Sequence, residues 1–185
     1  MKGPALGMIE LKSVARGIKV TDGICKKASV DIIQTSAVCP GKYMILFSGE
    51  VADVEEAFQE AAAIGRDLVI NQIILSQLHP DIVPAISGTT KVAEFKSVGV
   101  IESFSISSCV IAADMAAKAC DVKMIEIRLA NGLGGKGYFV MTGEQYAIEE
   151  ALSVAAAHIR EEGMLAGCEI IENPHPELIE KGLYW

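Results

Sequence analysis

The chain carries one pattern twice, and this duplication limits its possible folds more than any other feature. Gly7-Met-Ile-Glu10 recurs as Gly99-Val-Ile-Glu102, and Asp22-Gly-Ile-Cys-Lys26 as Asp114-Met-Ala-Ala-Lys118, both displaced by 92 residues. Gly41-Lys42 recurs as Gly135-Lys136, Ser48-Gly-Glu50 as Thr142-Gly-Glu144, and Glu55-Glu-Ala57 as Glu149-Glu-Ala151, now displaced by 94. His79-Pro80-Asp81 recurs as His175-Pro176-Glu177, displaced by 96. The offset grows by only four residues, as small loop insertions within a duplicated domain would produce. Units of about 90 residues are each large enough to bury a core, unlike solenoid repeats of roughly 20–50 residues. The 185 residues therefore divide into two small domains, expected at 1–88 and 98–185 with a linker at 89–97.

Each copy reads strand, helix, strand, strand, helix, strand. In the first, Leu6 to Lys12 has a strand-like alternation, with Leu6, Met8 and Leu11 apolar and Ile9 opposite. Ser13 suits a helix N-cap, and Val14, Ile18, Ile24 and Cys25 follow at helical spacing. Two β-rich runs, Val30 to Val38 and Lys42 to Ser48, flank the turn-forming Cys39-Pro40-Gly41. Asp53 to Asp67 is an Ala- and Glu-rich helix with Val54, Ala57, Phe58, Ala61 and Ile64 or Gly65 on one face. Val69 to Leu78 closes the copy. The second copy gives a strand near Val98 to Ser105, a helix from Ser107 to Cys120, and strands at Val122 to Leu129 and Lys136 to Thr142. A helix from Tyr146 to Glu162, a strand near Leu165 to Glu172 and a short tail from Pro174 to Trp185 complete it. This order predicts an α+β chain of two tandem βαββαβ domains, each a ferredoxin-like, largely antiparallel sheet with helices on one face.

Composition narrows the functions. A net charge of −8 is the wrong sign for a nucleic-acid groove, which needs clustered Lys and Arg. Hydrophobic residues make up 51% and mean hydropathy is +0.36, yet no run approaches the ~20 apolar residues of a membrane span. A chain this apolar is expected to bury surface against other chains. Met1-Lys2-Gly3-Pro4 leads into the first strand without an apolar h-region, so no secretory leader is expected. Five cysteines without a CxxC pair fit reduced thiols in a cytoplasmic setting.

One cysteine stands apart. Cys39 lies in a turn beside Pro40 and Gly41, and its counterpart in the second copy is Leu133, so duplication does not account for it. No second cysteine lies at ligand spacing, although an iron–sulfur cluster needs several thiolates around one centre. On the residues alone, Cys39 is either a cluster ligand completed by other chains or an ordinary turn cysteine. Cys25, Cys109 and Cys120 on helices and Cys168 on a strand are expected to pack as small hydrophobes.

Other motifs point away from catalysis. Gly132-Leu-Gly-Gly-Lys-Gly137 has the letters of a dinucleotide fingerprint, but a strand follows it where a helix is required. As a phosphate-binding loop it fails too, with Ala130 and Gly137 at positions needing Gly and Ser or Thr. It reads as a glycine-rich hairpin turn. His79, His158 and His175 have no metal-ligand spacing, and no Ser/His/Asp set is cued. The two proline-linked histidines read as strand-end residues, and the chain is expected not to be an enzyme.

The opening Gly-x-Ile-Glu, the Asp-x-x-x-Lys, the Gly-Lys turn and the closing His-Pro together resemble the bacterial microcompartment shell domain. Two copies in one chain, with Val38-Cys-Pro-Gly-Lys42 and Leu78-His-Pro followed by Pro84-Ala-Ile-Ser-Gly88, resemble its tandem-domain members. The resemblance covers nearly the whole chain. It implies a homotrimer that mimics a hexamer and tiles a shell with other shell proteins in the cytoplasm. It implies one [4Fe-4S] cluster per trimer, with Cys39 as the ligand from each chain. By the same resemblance Pro40, Gly41, Lys42, Gly132, Leu133, Gly134, Gly135 and Lys136 line the pore. Lys26 and Lys118 fall at tile edges, while Gln77 and Asn173 stand where many relatives place an edge arginine. The implied role is electron transfer across the shell, with a redox enzyme as possible partner. A redox-silent metabolite pore and a stand-alone ligand-binding regulator are the competing readings.

Overall fold

A computed structural model describes residues 3–183. Met1 and Lys2, and the Tyr184-Trp185 end of the expected tail, lie outside the described residues. The chain forms two units, divided between Leu78 and His79.

The first unit runs β1 (Ala5–Leu11), α1 (Val14–Lys27), β2 (Asp31–Val38), β3 (Lys42–Gly49), α2 (Val51–Gly65) and β4 (Val69–Leu75). Its strands lie in the order β2-β3-β1-β4, each antiparallel to its neighbours. The second unit begins with α3 (Ile82–Ile86) and continues β5 (Ser97–Ser103), α4 (Ile106–Ala119), β6 (Val122–Leu129) and β7 (Gly137–Gly143). It ends with α5 (Gln145–Glu161), β8 (Leu165–Ile171) and α6 (Pro176–Gly182). Its strand order, β6-β7-β5-β8, repeats the first. This is the split βαβ arrangement of a ferredoxin-like sheet, as the element order predicts.

The duplication extends to local detail. Ser13 Oγ accepts from the Arg16 amide at 3.2 Å, and Ser105 Oγ from the Ser108 amide at 3.3 Å. Each serine satisfies one of the amides that a helix start leaves without an intrahelical acceptor. The register shifts between Glu10 and Leu11 in β1 and between Glu102 and Ser103 in β5. It shifts again between Ile32 and Gln34 in β2 and between Met124 and Glu126 in β6. Bulges at matching places show that both copies bend the sheet in the same way.

In the first unit, Ile9, Leu11, Ile45 and Phe47 of the sheet pack with Val20 and Ile24 of α1 and Val54, Ala57 and Ala61 of α2. Phe58 adds an edge-to-face contact with Phe47, their ring centroids 5.7 Å apart. The face expected for α2 is the one that is buried, with Gly65 closer to the core than Ile64.

Four expectations need correction. In α1 the buried positions are Gly17, Val20 and Ile24, whereas Val14, Ile18 and Cys25 are exposed. The helix carries two apolar stripes, and periodicity alone selects the wrong one because glycine adds nothing to the inward stripe. In β1 all seven residues are buried, so the expected alternation between an inner and an outer face does not hold for this central strand. Residues 79–88, assigned above to the first domain, belong to the second unit. There the His79 amide donates to Asp114 Oδ1 at 2.8 Å, and Lys123 Nζ lies 2.7 Å from Asp81 Oδ1. Finally, the tail contains α6, whose Leu178 and Ile179 pack with Val98, Val140 and Leu183. Val98 and Val140 lie on the sheet face opposite α4 and α5, so the second unit has a short helix there as well.

Candidate functional site

Each unit presents one turn between the second and third strands of its chain order, and the two turns differ in chemistry. The first, Cys39-Pro40-Gly41, joins β2 to β3 and contains a cis Cys39–Pro40 peptide. Gly41 has φ of +73°, and a Cβ there would meet no atom within 4 Å. Glycine is therefore required by the left-handed backbone rather than by lack of room. Cys39 is half-buried at the end of β2, with no disulfide partner.

The turn is tied to the sheet by charge. Lys42 Nζ lies 3.1 Å from Glu10 Oε2, and the Glu10 carboxylate is almost fully buried on β1. Asn71, the cross-strand neighbour of Glu10 on β4, brings Nδ2 to 3.5 Å from the other carboxylate oxygen. A buried carboxylate without a cation would carry a large desolvation cost. Lys42, the first residue of β3, offsets that cost and so ties the strand that follows the turn to β1.

The second turn, between β6 and β7, is longer and glycine-rich. Ala130, Gly132, Gly134 and Gly135 all have positive φ. The Ala130 amide donates to the Lys136 carbonyl at 3.0 Å and the Lys136 amide to the Leu133 carbonyl at 3.2 Å. Lys136 Nζ lies 2.5 Å from Glu102 Oε2, repeating the Lys42–Glu10 pair. Leu133, half-buried, stands where Cys39 stands in the first turn. Neither glutamate figures among the site residues read from sequence. Their signal was present, because Glu10 and Lys42 both recur across the duplication as Glu102 and Lys136.

The remaining cysteines divide unevenly. Cys109 is fully buried, and burial pushes its thiol pKa up, which disfavours the thiolate. Cys120 is half-buried at the C-cap of α4. Cys25 and Cys168 are exposed, which corrects the packing role expected for them. Cys25 sits just outside the inward stripe of α1, and Cys168 lies on β8, an edge strand paired only with β5. Among the described residues of one chain, no group of three His, Cys, Asp or Glu side chains converges as a metal site.

The matching lysines pair within their own helices, Lys26 with Asp22 at 2.6 Å and Lys118 with Asp114. The two His-Pro segments share one local turn. His79 Nδ1 accepts from the Asp81 amide at 3.3 Å and His175 Nδ1 from the Glu177 amide at 3.2 Å. Gln77 and Asn173 are exposed beyond the ends of β4 and β8. Among the described residues, no helix is long and apolar enough to cross a membrane.

Comparison with known proteins agrees with this duplicated architecture. The model of the BMC domain matches residues 5–78 and again residues 97–174. The chain is 33% identical over 174 residues to the bacterial microcompartment shell protein PduT of Citrobacter freundii, covering 94% of this chain and 95% of that protein. It superposes on the crystal structure of a microcompartment protein from Desulfitobacterium hafniense DCB with a TM-score of 0.92 and 37% identity. That match covers 95% of this chain and 98% of the other. The fused permuted hexameric shell protein MSM0275 from the RMM microcompartment shares the fold, with a TM-score of 0.59 and 22% identity over 84% of this chain and 81% of its own.

Proposed function

The chain belongs to the BMC domain family of microcompartment shell proteins, with the domain in tandem, and from this we propose that three copies close into a pseudohexameric ring whose pore binds an iron–sulfur cluster through Cys39. Two equivalent domains per chain give six similar wedges in a trimer, and the apolar composition supplies surface for the joints. The regulator reading is set aside, because the chain matches a shell protein over nearly its full length.

The observation that carries the proposal is the asymmetry of the two turns. Every feature common to both, the Gly-Lys pair and its strand glutamate, serves the turn itself. Cys39 is the added element, a soft donor half-exposed on a turn anchored by the pairing of Lys42 with a buried carboxylate. One thiolate per chain fits a cluster only if three chains contribute, giving three protein ligands and one iron open to another ligand. Bound there, the cluster would supply single-electron transfer across the shell, with a redox enzyme as partner and no catalysis by the chain itself.

The chain's own groups then have distinct roles. Cys39 binds. Pro40 and Gly41 set the backbone from which its sulfur projects, and Gly41 leaves the space beside the turn empty. Lys42 pairs with the buried Glu10 carboxylate and so ties the start of β3, just after the turn, to β1. In the alternate turn Gly132, Leu133, Gly134, Gly135 and Lys136 line the opening without contributing a ligand. Lys26 and Lys118 face neighbouring tiles.

Anaerobic purification with iron and sulfide analysis, alongside mass measurement of the oligomer, tests both parts. The expected result is a trimer with about four iron and four sulfide per three chains. A trimer free of iron and sulfide after anaerobic reconstitution would leave a redox-silent pore. A stable monomer would overturn the ring.

A further inference from the structure

We propose that the end of the first unit bearing Lys12, Arg16, Lys19 and Arg66 is a docking surface for a protein with an acidic face, the partner that exchanges electrons with the Cys39 site. The inference rests on the cluster reading above and adds to it where the partner sits and what charge it presents.

The surface is set by the fold of the first unit. Lys12 follows the last residue of β1, and its amide donates to the Leu68 carbonyl at 2.8 Å. Helix α1 starts two residues later, and the end of α2 lies close by, since Arg16 Nη1 donates to the Ile64 carbonyl at 2.6 Å. Residues 12–19 and 64–68 therefore meet at one end of the sheet. It is the end that carries the Cys39 turn. Leu11 pairs with Tyr43 and Val38 with Lys42, so β1 and β2 both finish there, with the start of β3 between them. Two strand spacings, about 10 Å, separate the ends of β1 and β2.

The charge of this end is out of keeping with the rest of the chain. The two segments hold four cations and one acid, Asp67, in a chain with a net charge of −8. Arg16 is accounted for by the carbonyl it meets at the negative end of α2. Lys12, Lys19 and Arg66 are exposed, and among the described residues none of the three has a carboxylate partner. Most lysines do have one. Eight are paired, and among the described lysines only Lys12, Lys19 and Lys91 are left over.

Duplication does not supply this charge. Lys12, Arg16 and Lys19 correspond to Phe104, Ser108 and Ile111, and residues 104–111 carry no charge. The basic end thus belongs to the same copy as Cys39, and both depart from the repeat. Exposed cations gathered without counter-charges repel one another and add nothing to stability. They do raise the association rate of a protein of opposite sign. At about 0.1 M salt the Debye length is roughly 10 Å, so a partner seated here feels these cations more than the acids elsewhere in the chain. A small protein whose carboxylates surround its own redox centre fits, because docking then brings that centre towards the Cys39 turn.

The test measures binding of the full chain to plant-type ferredoxin, a small acidic electron carrier, by fluorescence anisotropy at about 0.1 M salt. A complex should form and weaken by about tenfold or more at about 0.5 M salt, because its charge contacts are exposed and screened. Lys12→Gln/Lys19→Gln/Arg66→Gln should cost about tenfold or more in affinity at the lower salt. Its oligomeric mass and far-UV circular dichroism should be unchanged, since all three side chains are exposed. Lys26→Gln/Lys27→Gln removes two charges at the opposite end of α1 and should alter binding by less than about twofold. Absence of binding, or equal binding by the triple variant and the unaltered chain, overturns the inference. Cys39→Ser protein should bind ferredoxin as the unaltered chain does. Charge-dependent binding by a chain that never holds iron would keep the docking surface and overturn only the cluster. A loaded cluster without such binding would do the reverse.

Discussion

Cys39→Ser protein is expected to lose all of its iron and sulfide while keeping its fold and its oligomeric mass. In the proposed ring the substitution occurs three times, so every protein thiolate would go at once. A serine oxygen is a harder and poorer ligand for iron than a cysteine sulfur, and the soft donor set is what favours a cluster. The turn itself should survive. Gly41 carries the left-handed backbone, Lys42 remains paired with Glu10, and serine suits a turn. Single serine replacements of Cys25, Cys109, Cys120 or Cys168 should spare the cluster. Cys109 is sealed in the core with its thiol pKa raised, and the others lie away from the turn on α1, the end of α4 and β8. Iron and sulfide analysis of the five variants after anaerobic reconstitution decides the matter. Retention of both by Cys39→Ser, or their loss from one of the others, would remove Cys39 from the centre of the proposal.

The second large effect concerns stability. Gly17→Ala is expected to destabilise the first unit by about 3 kcal/mol, at the upper end for overpacking a core. A Cβ at this position would lie 2.2 Å from Tyr43 Cδ1, 2.5 Å from Cγ and 2.7 Å from Cβ. Rotating the tyrosine ring does not relieve the clash, because the Tyr43 β-carbon is itself too close and is fixed by β3. The phenol oxygen also accepts from Thr35 Oγ1 at 2.7 Å, which resists displacement of the ring. Helix α1 must therefore lift from the sheet. The second unit solves the same contact with the volumes exchanged. Cys109 stands at the position of Gly17, and Gly137 stands at the position of Tyr43. A Cβ on Gly137 would in turn meet Cys109 Cβ at 3.0 Å. Urea unfolding at one fixed protein concentration should show strong coupling between Gly17→Ala and Tyr43→Ala, with the double variant about 2 kcal/mol more stable than additivity gives. Costs that simply add would show that this contact is not the source of the loss.

The duplicated pattern by itself determined most of the architecture. Strand and helix periods, Ser13 before the first helix and the turn residues at 39–41 all pointed to one local structure, and both units adopt it. Such agreement between levels is what allows a sequence to be read. The turn residues were legible for the same reason, since Gly-Lys recurs in both copies and Cys39 is the position at which the copies disagree.

Other features were decided only by tertiary structure. Which stripe of α1 faces inward depends on Tyr43, a residue from another element that fills the space left by Gly17. Residues 79–88 follow the first copy in sequence but belong with the second unit, because Asp114 and Lys123 hold them there. The pairing of Glu10 with Lys42 joins residues 32 positions apart, and it forms because β1 and β3 are neighbours in the sheet. Periodicity reports how a segment meets an average core. It does not report which distant side chain occupies the space opposite, and that choice set the inward face of α1, the unit boundary and the anchoring of the Cys39 turn.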